Sequence, residues 1–353
     1  MKKSILYYPS INIVNTNWLR GALFYWDNIH TIVPNNYDLD KLSPDLKYLF
    51  KKGIYKPISP DVLLQREEYK LFEYELIYRF SGHSYYDNTL NDMIHHIDPE
   101  CNIFYMHKLG NAQALHYLVE NMALKKYIDD CVLLDSQIHF EIMNIMTKYM
   151  VQAINNDVNN DSYVISGTDV GNAYEGIYGT SSHDARFNTC CFVNTLNKIL
   201  PVPLDNTPFE RIIDFRQERR SELLKLRQTI DNYENKIAKC NDIASIKKIM
   251  LQFEEEILYE SENTKRLMRG KKITWRLSSA RTIFEIGVPD MLLAISNLPT
   301  SLKILGCVAN GAISLGKTYA DVYFEKKELL CNSYVSYLYN ANKFGLIDFY
   351  DFN

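Results

Sequence analysis

Three short apolar runs in the first sixty residues, each ended or interrupted by a proline, constrain the fold most strongly. The runs are Ser4–Tyr8, His30–Val33 and Ile54–Ile58. Helix-start signals lie between them, since Asn15 or Thr16 can cap one helix and Ser43 followed by proline starts another. Strand, helix, strand, helix and strand at this spacing predict a small parallel βαβαβ sheet, with the third run at its edge.

The rest of the chain is dominated by helical patterns. Helices are predicted over 62–80, 111–127 and 136–155, and a further strand over 162–166. The longest of these helices carries apolar residues on one stripe, which is typical of a core-facing helix. The fold class predicted from these patterns is α+β with helix dominant, in which an α-helical hairpin and a C-terminal helical bundle follow the small sheet.

A Pro-Val-Pro stretch at 201–203 is the predicted domain boundary. Since 353 residues favour two domains over one, we expect an α/β domain with helical additions over 1–200 and an α-helical domain over 201–353. Apolar residues at alternating steps of three and four predict an antiparallel hairpin with a coiled-coil seam over 207–268, followed by an apolar helical part over 277–353. Arg219 is the polar misfit on that seam.

Composition excludes several classes of protein. The 39 basic and 43 acidic side chains give a net charge of −4, which excludes a globally basic nucleic-acid coat, and the 46% apolar fraction excludes wholesale disorder. Seven scattered cysteines without a CxxC pair, and a start unlike a signal peptide, predict reduced thiols and a cytoplasmic location.

One stretch, 311–318, satisfies the phosphate-loop pattern. Ile313 and Leu315 stand where a tight anion nest favours small residues, and only 35 residues follow Thr318. We therefore interpret the stretch as a closely packed helix and expect no cofactor.

The apolar region 288–316 has a longest charge-free run of only 304–316, which is shorter than a membrane-crossing helix, so no membrane span is predicted.

A basic run in the C-terminal half is a candidate for binding nucleic acid or another anion. Its members are Lys265, Arg266, Arg269, Lys271, Lys272 and Arg276. Glutamates over 254–262 lie close enough in sequence to neutralise the run, so nucleic acid is a possible partner but not the favoured one.

The histidines and acids over 83–100 lack the spacing of metal ligands, and no metal site is predicted.

Polar residues after the predicted strands form the candidate ligand site. In an open parallel sheet, ligands bind beyond the carboxyl ends of the strands. Ser10, Asn35, Asn36 and Thr168 occupy such ends and are candidate ligand-binding residues. The alternative is that they only form turns. Asp169, in a turn after the last strand, and Asp27, near a helix C-terminus where an acid opposes the helix dipole, are candidate catalytic acid–base groups.

Two sets of motifs resemble an uncharacterised bacterial family, a domain of unknown function. The first set comprises Leu6-Tyr7-Tyr8-Pro9, Trp18-Leu19, Tyr25-Trp26-Asp27 and Ile32-Val33-Pro34, and the second comprises Leu200-Pro201-Val202-Pro203, Asp214-Phe215-Arg216 and Arg219. The resemblance implies a bacterial cytosolic setting and a shared fold, but it supplies no catalytic residues. Orphan families of this kind often occur in mobile or defence contexts.

The sequence leaves three functions open. The first is a non-enzymatic interaction protein, a sensor or effector in anti-phage defence, that binds a protein partner or a second copy through its helical hairpin. The second is an enzyme with a small-molecule or nucleotide site at the strand-end crevice. The third is an effector that acts on membranes through 288–316.

Overall fold

The structure, a computed structural model, describes residues 2–80, 102–127, 130–169, 200–237 and 333–347, with single residues and short stretches between 239 and 260. The chain divides into two compact units, Met1–Ser181 and Ser182–Asn353. The Pro-Val-Pro stretch at the predicted boundary lies inside the second unit. The basic run over 265–276, the phosphate-loop match, the histidine patch over 83–100 and the apolar region 288–316 lie outside the described residues.

In the first unit, strands and helices are interspersed along the chain. In order they are β1 (Lys2–Tyr7), α1 (Thr16–Tyr25), β2 (Asn28–Thr31), α2 (Pro44–Lys51), α3 (Asp61–Leu64), α4 (Glu68–Phe80), β3 (Ile103–Tyr105), α5 (Gln113–Asn121), β4 (Lys125–Lys126), β5 (Cys131–Leu133), α6 (Ser136–Asn155) and β6 (Ser162–Gly167). Short 3₁₀ helices cover Leu39–Lys41 and Met106–Leu109. Helix dominates this α+β fold, as predicted.

The main sheet is parallel and has β1 at its centre. β1 pairs with β2 on one side and with β6 on the other. The 54–58 segment continues the sheet beyond β2 through parallel bridges from Tyr55 to Ile29 and from Ile58 to Ile32. The chain therefore runs outward from β1 to β2 to the 54–58 segment and returns with β6 to the other side of β1. The predicted parallel unit, with the third run at its edge, is confirmed.

Local signals explain why these helices begin and end where they do. The Asn15 side chain accepts from the backbone N–H groups of the first turn of α1. The Ser43 hydroxyl likewise accepts from the Leu46 N–H at 3.3 Å, and Gly53, with a φ of 69°, follows Lys52, the C-cap of α2. Each capping group satisfies backbone groups that the helix end leaves unpaired.

Two of the predicted helices differ from the structure. The helix predicted over 62–80 is interrupted after Leu64 and resumes at Glu68. The helix predicted over 111–127 ends at Asn121, and Lys125–Lys126 pairs with β5 in a second, antiparallel sheet of order β3-β5-β4. Strands of two or three residues are too short to show the alternating pattern by which a strand is recognised in a sequence.

The longest described helix, α6, packs against α4 through apolar and charged contacts. Its predicted core stripe is buried at Ile138, Ile142, Ile145, Tyr149 and Ala153. Glu75 on α4 accepts from Lys148 and from the Tyr149 hydroxyl, and Arg79 pairs with Glu141 at 3.3 Å. These contacts fix α4, whose opposite end reaches the pocket described below.

In the second unit, described helices are α7 (Phe209–Glu218), α8 (Arg220–Ile237) and α9 (Ser336–Lys343). Arg219, the misfit on the predicted seam, is the residue at which α7 ends and α8 begins. The Tyr233 ring lies 4.8 Å from the Phe253 ring, so the later segment folds back onto α8 as a hairpin requires. Of the predicted C-terminal part, the structure describes 333–347.

Within the described ranges, no helix combines the length and apolar character needed to cross a membrane.

Candidate ligand-binding pocket

A pocket of about 720 Å³ opens in the first unit where β2 and the 54–58 segment end. Most of its lining side chains are polar. The lining residues are Asn35, Asn36, Ser59, Pro60, Asp61, Leu64, Tyr69, Glu73, His107, Gly110, Asn111 and Ala112. This volume lies within the range of about 300–1,000 Å³ that small-molecule sites occupy.

Two strand-end loops form one wall. Asn35 and Asn36 follow β2, and Ser59 follows the neighbouring 54–58 segment, so parallel pairing brings both loops to the same edge. The Asn35 side-chain amide donates to the Asp61 carboxylate, which ties the two loops together. The Ser59 hydroxyl accepts from the Asp61 N–H at 3.1 Å and starts the turn into α3.

Helix α4 provides another wall through Tyr69 and Glu73. They stand four residues apart, which is about one helical turn, so both side chains reach the same side of the helix. The Tyr69 hydroxyl donates to the Leu109 carbonyl oxygen at 2.8 Å. Burial and, secondarily, the negative charge of Glu73 raise the pKa of Tyr69 to about 12. The hydroxyl therefore remains a hydrogen-bond donor at neutral pH.

Gly110 allows the 107–112 loop to close against α3. Its φ is 65° and its ψ is −142°, a combination essentially confined to glycine. A Cβ at this position would stand 2.9 Å from the Leu64 Cδ1 atom. The Gly110 carbonyl oxygen is 2.7 Å from the His116 Nε2 atom, so α5 holds the turn from the other side.

His107 brings an imidazole to the pocket. Its Nδ1 atom lies 2.8 Å from the Asp130 carboxylate, and each side chain is about half exposed. Asp130 itself has a φ of 55°, and its carbonyl oxygen accepts from the Met106 N–H at 3.0 Å. Because Nδ1 is bound to Asp130, Nε2 is the ring nitrogen that a ligand can contact.

The carboxylates that line the pocket give it negative charge. Asp61 and Glu73 contribute carboxylates, and none of the described lining residues is lysine or arginine. In the described ranges, no group of three or more histidine, cysteine, aspartate and glutamate side chains is arranged to hold a metal ion. The chemistry available is hydrogen bonding through amides, hydroxyls and imidazole, together with attraction of positive charge.

The structure brings only part of the predicted ligand-binding set to this pocket. Asn35 and Asn36 line it. Ser10 instead donates its hydroxyl to the Asn12 carbonyl oxygen at 2.7 Å, and Thr168 is buried after β6. Ser10 follows β1 and Thr168 follows β6, and neither is among the lining residues.

Asp27 and Asp169, the predicted acid–base candidates, lie at opposite edges of the sheet. Asp27 precedes β2, and its carboxylate accepts from the Lys3 N–H at 3.0 Å. Asp169 follows β6 and accepts from the Tyr7 hydroxyl at 2.8 Å. Since all the strands involved are parallel, the amino end of β2 and the carboxyl end of β6 face away from each other. The structure does not bring the two carboxylates together.

Tyr69, Glu73, His107 and Gly110 were not among the residues that the sequence singled out. The spacing of Tyr69 and Glu73 is a sequence signal for a shared helix side, and Gly110-Asn111 is a signal for a turn. Neither signal indicates that these elements meet the strand-end loops.

Residues 171–344 match the model of a family of unknown function, DUF6236. The matched segment contains the second set of motifs, from Leu200 to Arg219, and not the first. It also covers most of the C-terminal part that the motifs did not reach. No curated protein and no solved structure matches the chain. The pocket lies N-terminal to the matched segment, so its function is argued from its own geometry.

Proposed function

We propose that the first unit binds a small polar molecule in the pocket formed by the strand-end loops, α4 and the 107–112 loop. The observation that carries the proposal is the pocket itself, about 720 Å³ in volume and lined mainly by polar side chains. Its place at the carboxyl edge of a parallel sheet is where such folds bind ligands.

The walls of the pocket are held in place before any ligand binds. Asn35 is bonded to Asp61, Tyr69 to Leu109, and His107 to Asp130. Each bond joins segments that are distant in the sequence. A pocket fixed in this way loses little conformational freedom on binding, which favours affinity for a small ligand.

The interaction function predicted from the sequence remains a prediction. It requires the helical hairpin to present an exposed face to a protein partner or to a second copy. Such a face would lie outside the apolar seam of α8, which is buried within the protein at Leu223, Leu226, Ile230, Tyr233 and Ile237. Among the described large apolar side chains of α8, that of Leu224 is exposed, at 46%. The cytoplasmic location and the role in defence likewise remain predictions.

A screen of small polar compounds against the full chain tests the binding proposal. Ligand-observed NMR finds the compounds that bind, and thermal unfolding confirms them, because a ligand specific for the native state raises the unfolding midpoint. Each compound that binds is then tested against Asn36→Trp, which places a large ring at the exposed rim of the pocket. Asn17→Trp, at an exposed position on α1, is the matched control.

We expect binding to be lost in Asn36→Trp and retained in Asn17→Trp. Compounds that bind both variants equally well would show that the ligand site is elsewhere. A screen that finds no compound for the wild-type protein would overturn the proposal.

A further inference from the structure

We infer that the ligand of this pocket is a small organic cation, whose ammonium group is bound by the carboxylates of Asp61 and Glu73. The inference rests on the proposed binding function and adds the chemical class of the ligand.

The first argument is the charge of the lining. Two carboxylates face the pocket, and no lysine or arginine is found among its described lining residues. The Nδ1 atom of His107 lies 2.8 Å from the Asp130 carboxylate, so a further negative charge stands next to the imidazole. Phosphates and carboxylates would meet repulsion in such a pocket, whereas an ammonium group would meet attraction.

The second argument is a contrast among the glutamates of α4. Glu68 accepts from the Asn156 amide, and Glu75 accepts from the Lys148 ammonium at 2.9 Å. Both of these partners belong to the α6 region. Glu73, which faces the pocket, has no cationic partner within ion-pair distance in the described part of the chain. Glu68 and Glu75 therefore have partners on the packed side, whereas the carboxylate of Glu73 is left for a cation in the pocket.

The third argument is the aromatic ring beside this carboxylate. Tyr69 lines the pocket one helical turn before Glu73, and its hydroxyl is fixed by the bond to the Leu109 carbonyl oxygen. A fixed aromatic ring next to a carboxylate is a combination that binds ammonium groups, through cation–π attraction together with ion pairing.

Asp61 is the second carboxylate, and its side-chain partner in the described residues is the neutral amide of Asn35. The bond fixes the direction of the carboxylate without cancelling its charge. Asp61 comes from the strand-end loop and Glu73 from α4, so the two charges approach a ligand from different walls. This arrangement suits a cation with additional polar groups that can reach the Asn36 and Asn111 amides.

Three probes with the same four-carbon chain separate charge from size. Putrescine carries terminal ammonium groups, 1,4-butanediol carries hydroxyls and succinate carries carboxylates. Each is titrated against the full-length protein by calorimetry at low ionic strength and again at high ionic strength. We expect putrescine to bind at least tenfold more tightly than the other two, and added salt to weaken its binding.

Variants then locate the binding. Glu73→Gln and Asp61→Asn keep the size of each side chain and remove its charge, and each is expected to weaken putrescine binding at least tenfold. Glu67→Gln is the control, because Glu67 is exposed and does not line the pocket. Thermal unfolding of the three variants without ligand verifies that they fold.

The outcomes distinguish this inference from the binding proposal. Tighter binding of succinate or butanediol, lost in Asn36→Trp, would overturn the cation assignment and leave the pocket as a binding site. Putrescine binding that Glu73→Gln and Asp61→Asn do not change would also overturn the assignment. Compounds from the screen that bind in the pocket while putrescine does not would overturn the assignment alone.

Discussion

The Tyr69 hydroxyl donates a hydrogen bond of 2.8 Å to the Leu109 carbonyl oxygen. The two residues lie 40 positions apart in the sequence, one at the start of α4 and the other at the end of a 3₁₀ helix. Both elements contribute to the pocket, so this bond helps to set the separation of two of its walls.

We expect Tyr69→Phe to lower the free energy of unfolding by about 1 kcal/mol, because it removes one partly buried hydrogen bond and keeps the ring. Chemical denaturation measures the change. Tyr74→Phe is the control, since it is the same substitution on the same helix at a side chain that is 70% exposed. Equal effects of the two substitutions would contradict the structural role of the Tyr69 hydroxyl.

Gly110→Ala is expected to destabilise the protein and to narrow the pocket. The new Cβ meets Leu64 at 2.9 Å, and the backbone angles of Gly110 are costly for any other residue, by about 1–3 kcal/mol. Unfolding by urea gives the cost, and the affinity of a pocket ligand reports the change in shape.

The matched control is Gly53→Ala. Gly53 also has a positive φ, of 69°, but a Cβ there would have no neighbour within 4 Å. We expect a smaller loss than for Gly110→Ala, and we expect Leu64→Ala to relieve part of the Gly110→Ala loss when the two are combined. A Gly53→Ala cost as large as that of Gly110→Ala would show that the contact with Leu64 is unimportant.

His30 makes stability depend on pH in the acidic range. Burial lowers the pKa of His30 to about 4, partly opposed by a hydrogen bond between its ring and the Lys56 carbonyl oxygen and reinforced by the Lys56 charge. The unfolded chain takes up this proton near pH 6.5, whereas the folded chain does so near pH 4. The free energy of unfolding therefore falls as pH drops through this window, by about 3 kcal/mol in total.

Urea unfolding at several values between pH 7 and pH 4 measures this loss. Carboxylates also titrate near the lower limit, so the comparison is made with His30→Asn, which keeps a hydrogen-bond donor but does not titrate. We expect the variant to lose less stability over the window. Parallel curves for the two proteins would show that His30 is not the responsible group.

Lys108 is buried in the first unit, 2% exposed, with its ammonium 3.6 Å from the Met143 sulfur and 5.8 Å from the centre of the Phe104 ring. Burial lowers the pKa of Lys108 to about 7. Between pH 7 and 10.5 the unfolded chain holds a proton that the folded chain has released, so stability rises with pH in this window.

We expect Lys108→Met to stabilise the protein at pH 7, by up to about 4 kcal/mol, because it removes the cost of burying the amine. The variant should also lose the rise in stability between pH 7 and pH 10. Lys70→Met, at an exposed position on α4, is the control and should have little effect. A destabilised Lys108→Met protein would mean that the amine is needed for packing.

Local chemistry fixed the elements that the sequence predicted correctly. Asn15 and Ser43 cap helices through their own side chains, and the period of α6 places its apolar stripe on the core. In the same way, Arg219 interrupted the apolar seam and proved to be a helix junction. Such features depend on residues within one or two turns, so they can be read without knowledge of the fold.

Beyond Asn35 and Asn36, which the sequence placed at a strand end, the tertiary structure decided what lies in the pocket. Strand order brought Asn35 beside Asp61 and put Asp27 and Asp169 at opposite edges of the sheet. Packing of α4 against α6, and pairing of β3 with β5, brought Tyr69 and His107 to the strand-end loops. These contacts join segments tens of residues apart, and their geometry depends on how whole elements pack, which no local pattern in the sequence encodes.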